Sequence, residues 1–199
     1  DHFGLKQVNL AGHDWGAAVA WTLAMRYTER IRKLAILNVP HPVVMQRFLL
    51  SSPRQMLKSW YIGFFQIPGL ADWLLSRADY AAALQLFKSS SHPTSFSASD
   101  LQEYRQAYAN SGGLTGMLNW YRALVYYRPQ ASAGTQLGMP VLILWGKQDV
   151  ALSAEMAEAS LKFCEQGELF YFENATHWVQ HDEAQAVNEH LLEFFGRQD

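Results

Sequence analysis

Two short runs of this chain, Leu34-Ala35-Ile36-Leu37-Asn38-Val39 and Val141-Leu142-Ile143-Leu144-Trp145, are apolar almost without a break. A strand with one wet face alternates apolar and polar residues. Runs like these suit strands buried on both faces of a parallel sheet. Two more β-type runs flank them, Gln7-Val8-Asn9-Leu10-Ala11 and Glu168-Leu169-Phe170-Tyr171-Phe172. Helical patterns separate and follow them: the Ala-rich stretch Trp15 to Tyr27, Ser153 to Cys164 with Ser153 as a candidate N-cap, and Ala184 to Phe195. Strand, helix, strand alternation implies right-handed crossovers and an α/β fold with a mostly parallel sheet.

Residues 42–133 read differently. They contain no convincing buried strand, and helical patterns cover Ser52 to Phe65, Ala71 to Ser76, Tyr80 to Phe87, Ser99 to Asn110 and Gly116 to Tyr126. Asp100 is placed to cap the fourth of these, and Ser89-Ser90-Ser91-His92-Pro93 is a flexible break. Residues 1–41 and 134–199 are therefore expected to form the α/β core, and 42–133 a helical lid inserted into it.

Composition removes other classes. Sixteen Lys and Arg against 18 Asp and Glu leave a net charge of −2, so no basic surplus calls for nucleic acid or an anionic membrane. With 49% apolar and 17% charged residues in 199, the chain can bury a real core. No apolar run approaches the roughly 20 residues of a membrane span. The single cysteine, Cys164, excludes a disulfide framework and a multi-cysteine zinc site. It is read as a structural thiol near a helix end. The lack of disulfides favours the cytosol.

Between the first strand and the Ala-rich helix stands Gly12-His13-Asp14-Trp15-Gly16, a strand-to-helix elbow with Asp where many hydrolases carry Ser. The two glycines are expected to let the chain turn sharply and lift the middle residue above the sheet. The helix N-terminus behind it aims amide N–H groups at the same point. The plainer reading is that Asp14 only caps the helix. The residue type carries chemical information. A carboxylate is ionised at neutral pH, with a reference pKa of about 3.9, and needs no activating base. Attack on saturated carbon gives an ester that water can hydrolyse, whereas a serine would be left as a stable ether. Asp14 therefore points to an electrophile such as an epoxide or alkyl halide, and away from ordinary ester or amide hydrolysis.

Hydrolysing that ester needs a general base. Of the seven histidines, His177 lies in Asn174-Ala175-Thr176-His177-Trp178, directly after the fourth strand. Asp149 lies in Trp145-Gly146-Lys147-Gln148-Asp149 after the third, and is expected to orient His177. Both loops leave the sheet edge where α/β folds bind ligands, and the chain order is nucleophile, acid, histidine. His41 is read as shaping its loop or making an ordinary hydrogen bond, His13 as lying beside Asp14 but pointing away, and His2, His92, His181 and His190 as surface residues. Lys147 and Glu173 are read as surface contacts.

These residues resemble the epoxide hydrolases of the α/β-hydrolase fold. Four motifs carry the likeness: Gly12 to Gly16; Ser59-Trp60-Tyr61-Ile62-Gly63-Phe64-Phe65-Gln66-Ile67-Pro68-Gly69; Leu118-Asn119-Trp120-Tyr121-Arg122; and Trp145 to Asp149 together with Thr176-His177-Trp178. The resemblance implies that Asp14 is the nucleophile, Asp149 the acid and His177 the base. It also implies that Tyr61 and Tyr121 are ring-opening donors, and that the Trp15 amide faces the oxyanion of the second step. Opening an epoxide leaves an alkoxide, which a phenol of pKa about 10 can protonate or hold; departing halide needs no such acid. Aromatic residues on helices usually just pack, and that is the alternative for both tyrosines. Trp60, Phe64, Phe65 and Trp120, with Trp178, are candidates for an apolar pocket, core packing being the alternative for each. The implied reactants are a small apolar epoxide and water, with no metal or organic cofactor. The rivals are a haloalkane or haloacetate dehalogenase on the same fold and a non-catalytic, hydrolase-like receptor.

The family fold resembled here has eight strands, and four are legible in this chain. The other four, with a loop donating the second oxyanion hydrogen bond, would precede residue 1. On that reading the strand at Val8 to Ala11 presents an apolar edge, and the 199 residues alone are expected to be weakly active or inactive.

Overall fold

In the computed structural model the chain is described at residues 2, 4–126 and 136–197. The expected end of the helical insertion at 133, and the resumption of the core at 134, lie outside the described residues. Four strands, β1 (Val8–His13), β2 (Ile31–Leu37), β3 (Leu137–Gly146) and β4 (Cys164–Phe172), form one parallel sheet in the order β1-β2-β3-β4. The period of two sorts the central strands onto two faces. Leu34, Ile36, Val141, Ile143 and Trp145 pack with Trp21 and Met156 on one face. Ala35, Leu37, Leu142 and Leu144 pack with Val187 and Phe194 on the other. Burial of both sides is why the two runs read as continuously apolar.

Helix α1 (Trp15–Arg26) packs closely on the first face because Ala17, Ala20 and Ala24 turn inward with almost no exposed area. Between β2 and β3 come α2 (Pro42–Ser51), α3 (Pro53–Lys58), α4 (Trp60–Phe65), α5 (Leu70–Ser89), α6 (Ala98–Ala109) and α7 (Gly113–Tyr126). They bury a separate cluster built on Phe65, Leu75, Phe87, Tyr108, Leu114 and Leu118. After β3 come α8 (Glu155–Leu161), then β4, α9 (Val179–Asp182) and α10 (Ala184–Gly196). Among the described residues, no helix is long and apolar enough to cross a membrane.

Several expectations need correction. Cys164 is the first residue of β4, paired with Leu137, and not the end of a helix. Helix α8 starts after Ala154, so Ser153 is not its cap. Ser97 caps α6 while Asp100, three residues in, answers with its carboxylate, a reciprocal capping box. Pro40-His41-Pro42 leads into a helix that was not expected, but the hydrogen bond expected of His41 is made: Pro42 takes the first turn, where no N–H is missed, and His41 Nδ1 accepts from the Val43 amide at 3.3 Å.

Candidate active site

Because all four strands run parallel, their carboxyl ends share one edge of the sheet. The chain sets a polar group beyond each: Asp14 after β1, Asn38 after β2, Asp149 after β3 and His177 after β4. Asp14 has φ 50° and ψ −129°, a conformation that L residues rarely adopt and that costs about 1–3 kcal/mol. Its carbonyl accepts from the Ala17 and Ala18 amides at 2.9 and 3.1 Å, whereas its side chain makes no capping bond and is 44% exposed. The carboxylate is thus open to a reactant and is not used to cap α1. A Cβ on Gly12 would lie 2.6 Å from the Gly16 carbonyl oxygen and 2.8 Å from Ala17 Cα, so only glycine lets the helix begin this close to the strand. Gly16 differs from expectation: a Cβ there meets nothing within 4 Å, and the turn does not require a second glycine.

His177 Nδ1 lies 2.7 Å from Asp149 Oδ2, and its Nε2 lies 3.7 Å from Asp14 Oδ1. The Asp149 carboxylate is fully buried and fully engaged. Oδ1 accepts the Ala151 and Leu152 amides at 2.7 and 2.8 Å, and Oδ2 also accepts Asn38 Nδ2 at 2.9 Å. Asn38 was not foreseen in this role. It sits at φ 50°, accepts the Gly146 amide on Oδ1 at 2.9 Å and so ties the ends of β2 and β3 to the acid. Its one signal in the sequence is a polar residue ending an apolar run. Gly146 is bare for a reason: a Cβ there would lie 2.1 Å from the Thr176 carbonyl oxygen. Asp182 holds the histidine loop from below its turn, accepting the Thr176 amide at 2.7 Å and its hydroxyl at 2.6 Å.

Electrostatics follow from this crowding. Burial tends to raise Asp14, but the neighbouring His177, His13 and the Trp15 amide overcome it and hold the carboxyl below its usual range. Burial also works against the Asp149 charge, and His177, Asn38 and the loop amides again prevail. For His177, burial favours the neutral ring, yet Asp149 and Asp14 together raise it to about 10. The two carboxylates thus favour the protonated ring, against its burial.

His13 does not merely point away. Its Nε2 lies 2.8 Å from the His177 carbonyl and its Nδ1 3.2 Å from Gln180 Nε2, and its ring centroid is 4.7 Å from that of His177. Burial, then the charge of His177, push it down to about 4. His41, stacked on Phe163 at 4.2 Å, is also lowered to about 4 by burial. Unfolded histidine binds a proton from about 6.5 downward, so these two make the fold lose stability as pH falls from about 6.5 to about 4. Asp14 and Asp149 act below that window, near and under the ordinary carboxyl value. His177 contributes fully below about 6.5 and loses its contribution as pH rises towards about 10. His41→Phe, which keeps the ring stack, is expected to shrink the drop in urea midpoint between about pH 7 and about pH 5; an unchanged drop would contradict this assignment.

Tyr61 and Tyr121 come together at 5.7 Å, edge to face, and Tyr121 meets Trp15 at 5.1 Å. Burial raises both phenols, with Tyr121 and then Asp14 adding to the rise at Tyr61, and Asp14 adding to that at Tyr121. Both thus lie within electrostatic reach of Asp14 and stay protonated over the working range. The other aromatic residues divide. Trp120 lies 5.4 Å from Trp15 and is 49% exposed. Phe65 is a core residue under the two tyrosines, and Phe64 packs beside it. Trp60 is 64% exposed, with Phe64 as its ring neighbour, and the structure does not bring it into the shell around Asp14. Trp178 stacks on Phe87 at 4.7 Å and donates to Ser90 Oγ at 3.0 Å, joining the histidine loop to the helical insertion.

Cys164 is buried and pushed up to about 12, an unreactive thiol. Lys147 and Glu173 form an exposed pair at 2.6 Å, as expected. His2 is exposed, and His92, His181 and His190 are partly exposed, His181 packing on Phe96 and His190 on Phe170. A groove of about 1120 Å³, lined by Gln7, Lys33, Met139, Glu165 and Arg197, opens at the amino ends of the strands and contains none of the site residues.

The sequence model of the α/β-hydrolase fold family matches residues 1–184. The chain is 37% identical over 187 residues to the AB hydrolase superfamily protein YfhM of Bacillus subtilis, covering 94% of this chain and 65% of that protein. It is 36% identical over 195 residues to Epoxide hydrolase 2 of Caenorhabditis elegans, covering 96% of this chain and 55% of that protein. The crystal structure of a Bacillus megaterium epoxide hydrolase in complex with an inhibitor matches with a TM-score of 0.88 at 27% identity, over 98% of this chain and 71% of that one. The chain thus spans between about half and two thirds of the length of these two curated relatives.

Proposed function

The chain belongs to the α/β-hydrolase fold family, and from that premise we propose that it carries the reacting groups of an epoxide hydrolase. The observation that carries the reading is the combination at one point: a carboxylate at the elbow, 44% exposed, with two protonated phenols in its electrostatic reach and a buried His–Asp pair beside it. The names of several relatives point the same way. In this reading residues 1–41 and 134–199 are the core, and 42–133 form a cap that brings Tyr61 and Tyr121 to Asp14.

In the first step an Asp14 oxygen attacks an epoxide carbon, and the bond from that carbon to the ring oxygen breaks. The oxygen takes hydrogen bonds from Tyr61 and Tyr121 and a proton from one of them. The ester so formed is neutral. Loss of the Asp14 charge removes one of the two carboxylates that raise His177, and the ring becomes able to act as a base at a lower pH. The ring gives up its own proton to solvent; the neutral imidazole, oriented by Asp149, then accepts a proton from water, and the hydroxide attacks the Asp14 carbonyl carbon. The Trp15 amide, at the first turn of α1, supports the oxyanion. Collapse releases the vicinal diol, and the proton taken from water restores the phenol.

Tyr61→Phe and Tyr121→Phe test the substrate class. Each is expected to lower kcat/KM for an aryl epoxide by about 10²-fold, the scale of one lost oxyanion donor, and the double variant by more. Steady-state diol formation by the protein carrying this chain measures it. Halide release from a haloalkane, left intact in the double variant while epoxide turnover is absent in every form, would support a dehalogenase instead.

A further inference from the structure

Helix α3 grips the loop that carries Asp149. Lys58 Nζ donates to the Asp149 backbone carbonyl at 2.6 Å. Gln55, with no exposed area, donates from Nε2 to the Ala151 carbonyl at 2.8 Å and to Ser59 Oγ at 2.9 Å, and accepts the Ser153 amide on Oε1 at 3.0 Å. The Asp149 carboxylate takes the Ala151 and Leu152 amides from within the same loop. Between them, the carboxylate and α3 hold three amides and two carbonyls of the loop. Only Ser59 then separates α3 from α4, whose second residue is Tyr61. A single short segment therefore touches the acid's loop at one end and carries a phenol at the other.

The geometry assigns Lys58 and Gln55 a positioning role: Gln55 fixes the Asp149 loop to the segment carrying Tyr61, and the Lys58 ammonium offsets the Asp149 charge and so limits how tightly His177 holds its proton. This rests on the reading of Asp149 and His177 as the base pair given above. The surrounding charges leave room for such an effect. Lys58 faces Asp149, Arg54 on its own helix and Glu155 on α8; Arg54 and Glu155 are paired with each other at 3.3 Å. His177 faces Asp149, Asp14 and the neutral His13, and Asp149 also faces the uncharged Tyr61. Of Lys58 and Arg54, Lys58 is the one that contacts the Asp149 residue directly, whereas Arg54 is paired with Glu155.

The test compares Lys58→Met, Lys58→Gln, Lys58→Arg and Gln55→Leu. Two readouts are taken on the protein carrying this chain: the pH dependence of kcat on an aryl epoxide, and NMR titration of the His177 ring. Both variants that remove the charge are expected to raise the His177 pKa, and to move the acid limb up, by about 0.5–1 unit. Lys58→Gln retains a donor for the Asp149 carbonyl, so it separates the charge from the hydrogen bond and covers a Lys58→Met that fails to fold. Lys58→Arg should restore the wild-type limb, and Gln55→Leu should lower kcat several-fold with the limb unmoved. A His177 titration displaced by less than about 0.2 unit in both charge-removed variants would overturn the assignment, as would a Lys58→Arg limb displaced as far as that of Lys58→Met. The NMR readout needs no turnover. A shifted His177 in a protein that opens no epoxide would sink the proposed activity and leave this inference standing.

Discussion

Replacing Asp14 by Asn is expected to lower diol formation by at least about 10⁴-fold, the scale seen when a covalent nucleophile is removed. The substitution keeps the side chain's size and leaves the strained backbone in place, since Asn is among the few residues that tolerate positive φ. The Asp14 carbonyl, which starts α1 by accepting two amides, is untouched. What goes is the negative charge that attacks and that helps raise His177. A neutral amide oxygen is a far weaker nucleophile, and the tyrosines alone can only polarise the epoxide. Stability near neutral pH should fall modestly, because the contribution that the Asp14 charge makes with His177 is lost, although its side chain makes no capping bond. A variant folded by circular dichroism that retained more than about a tenth of the turnover would remove Asp14 from the reaction.

His177→Gln should instead separate the two steps. Gln can still donate to Asp149, so the buried carboxylate keeps a partner; stripping it of one costs about 3–5 kcal/mol. Ester formation needs only Asp14 and the phenols and should proceed. Hydrolysis loses its base and should slow by about 10²–10⁴-fold. One equivalent of substrate should therefore accumulate on the protein, and the added mass should map to the peptide containing Asp14. Steady turnover at the wild-type rate, with no adduct, would mean that His177 is not the base.

How far the sequence reaches depends on what kind of neighbour decides a residue's role. The sheet was legible because Leu34 to Leu37 and Val141 to Trp145 are apolar on both faces, and only a buried parallel strand asks for that. Asp14, Asp149 and His177 were legible because each follows a strand in a loop with turn chemistry of its own. Asn38 was not, since one polar residue closing an apolar run looks like the end of a strand; its meaning comes from Asp149, 111 positions away. Cys164 was misplaced because its helical pattern continues through Phe163, and only the pairing with Leu137 draws it into the sheet. The break in α5 was legible in part: separate helical patterns over Ala71 to Ser76 and Tyr80 to Phe87 leave a gap where Ala78, Asp79 and Tyr80 take positive φ, although no glycine or proline marks it. Phe65, a pocket candidate with core packing as its alternative, packs in the helical cluster against both tyrosines. Periodicity says which residues share a face, but not what that face meets.

The account turns on a covalent bond between substrate and Asp14, and one labelling experiment tests it. The protein carrying this chain, in excess over styrene oxide, would be allowed a single turnover in water enriched in oxygen-18, and the peptide containing Asp14 would then be weighed. Hydrolysis of an Asp14 ester leaves one solvent oxygen in the carboxylate, so the peptide should gain the label while the first-formed diol does not. Diol that carries the label, formed while the Asp14 peptide stays unlabelled, would show water attacking the epoxide directly and would contradict the account.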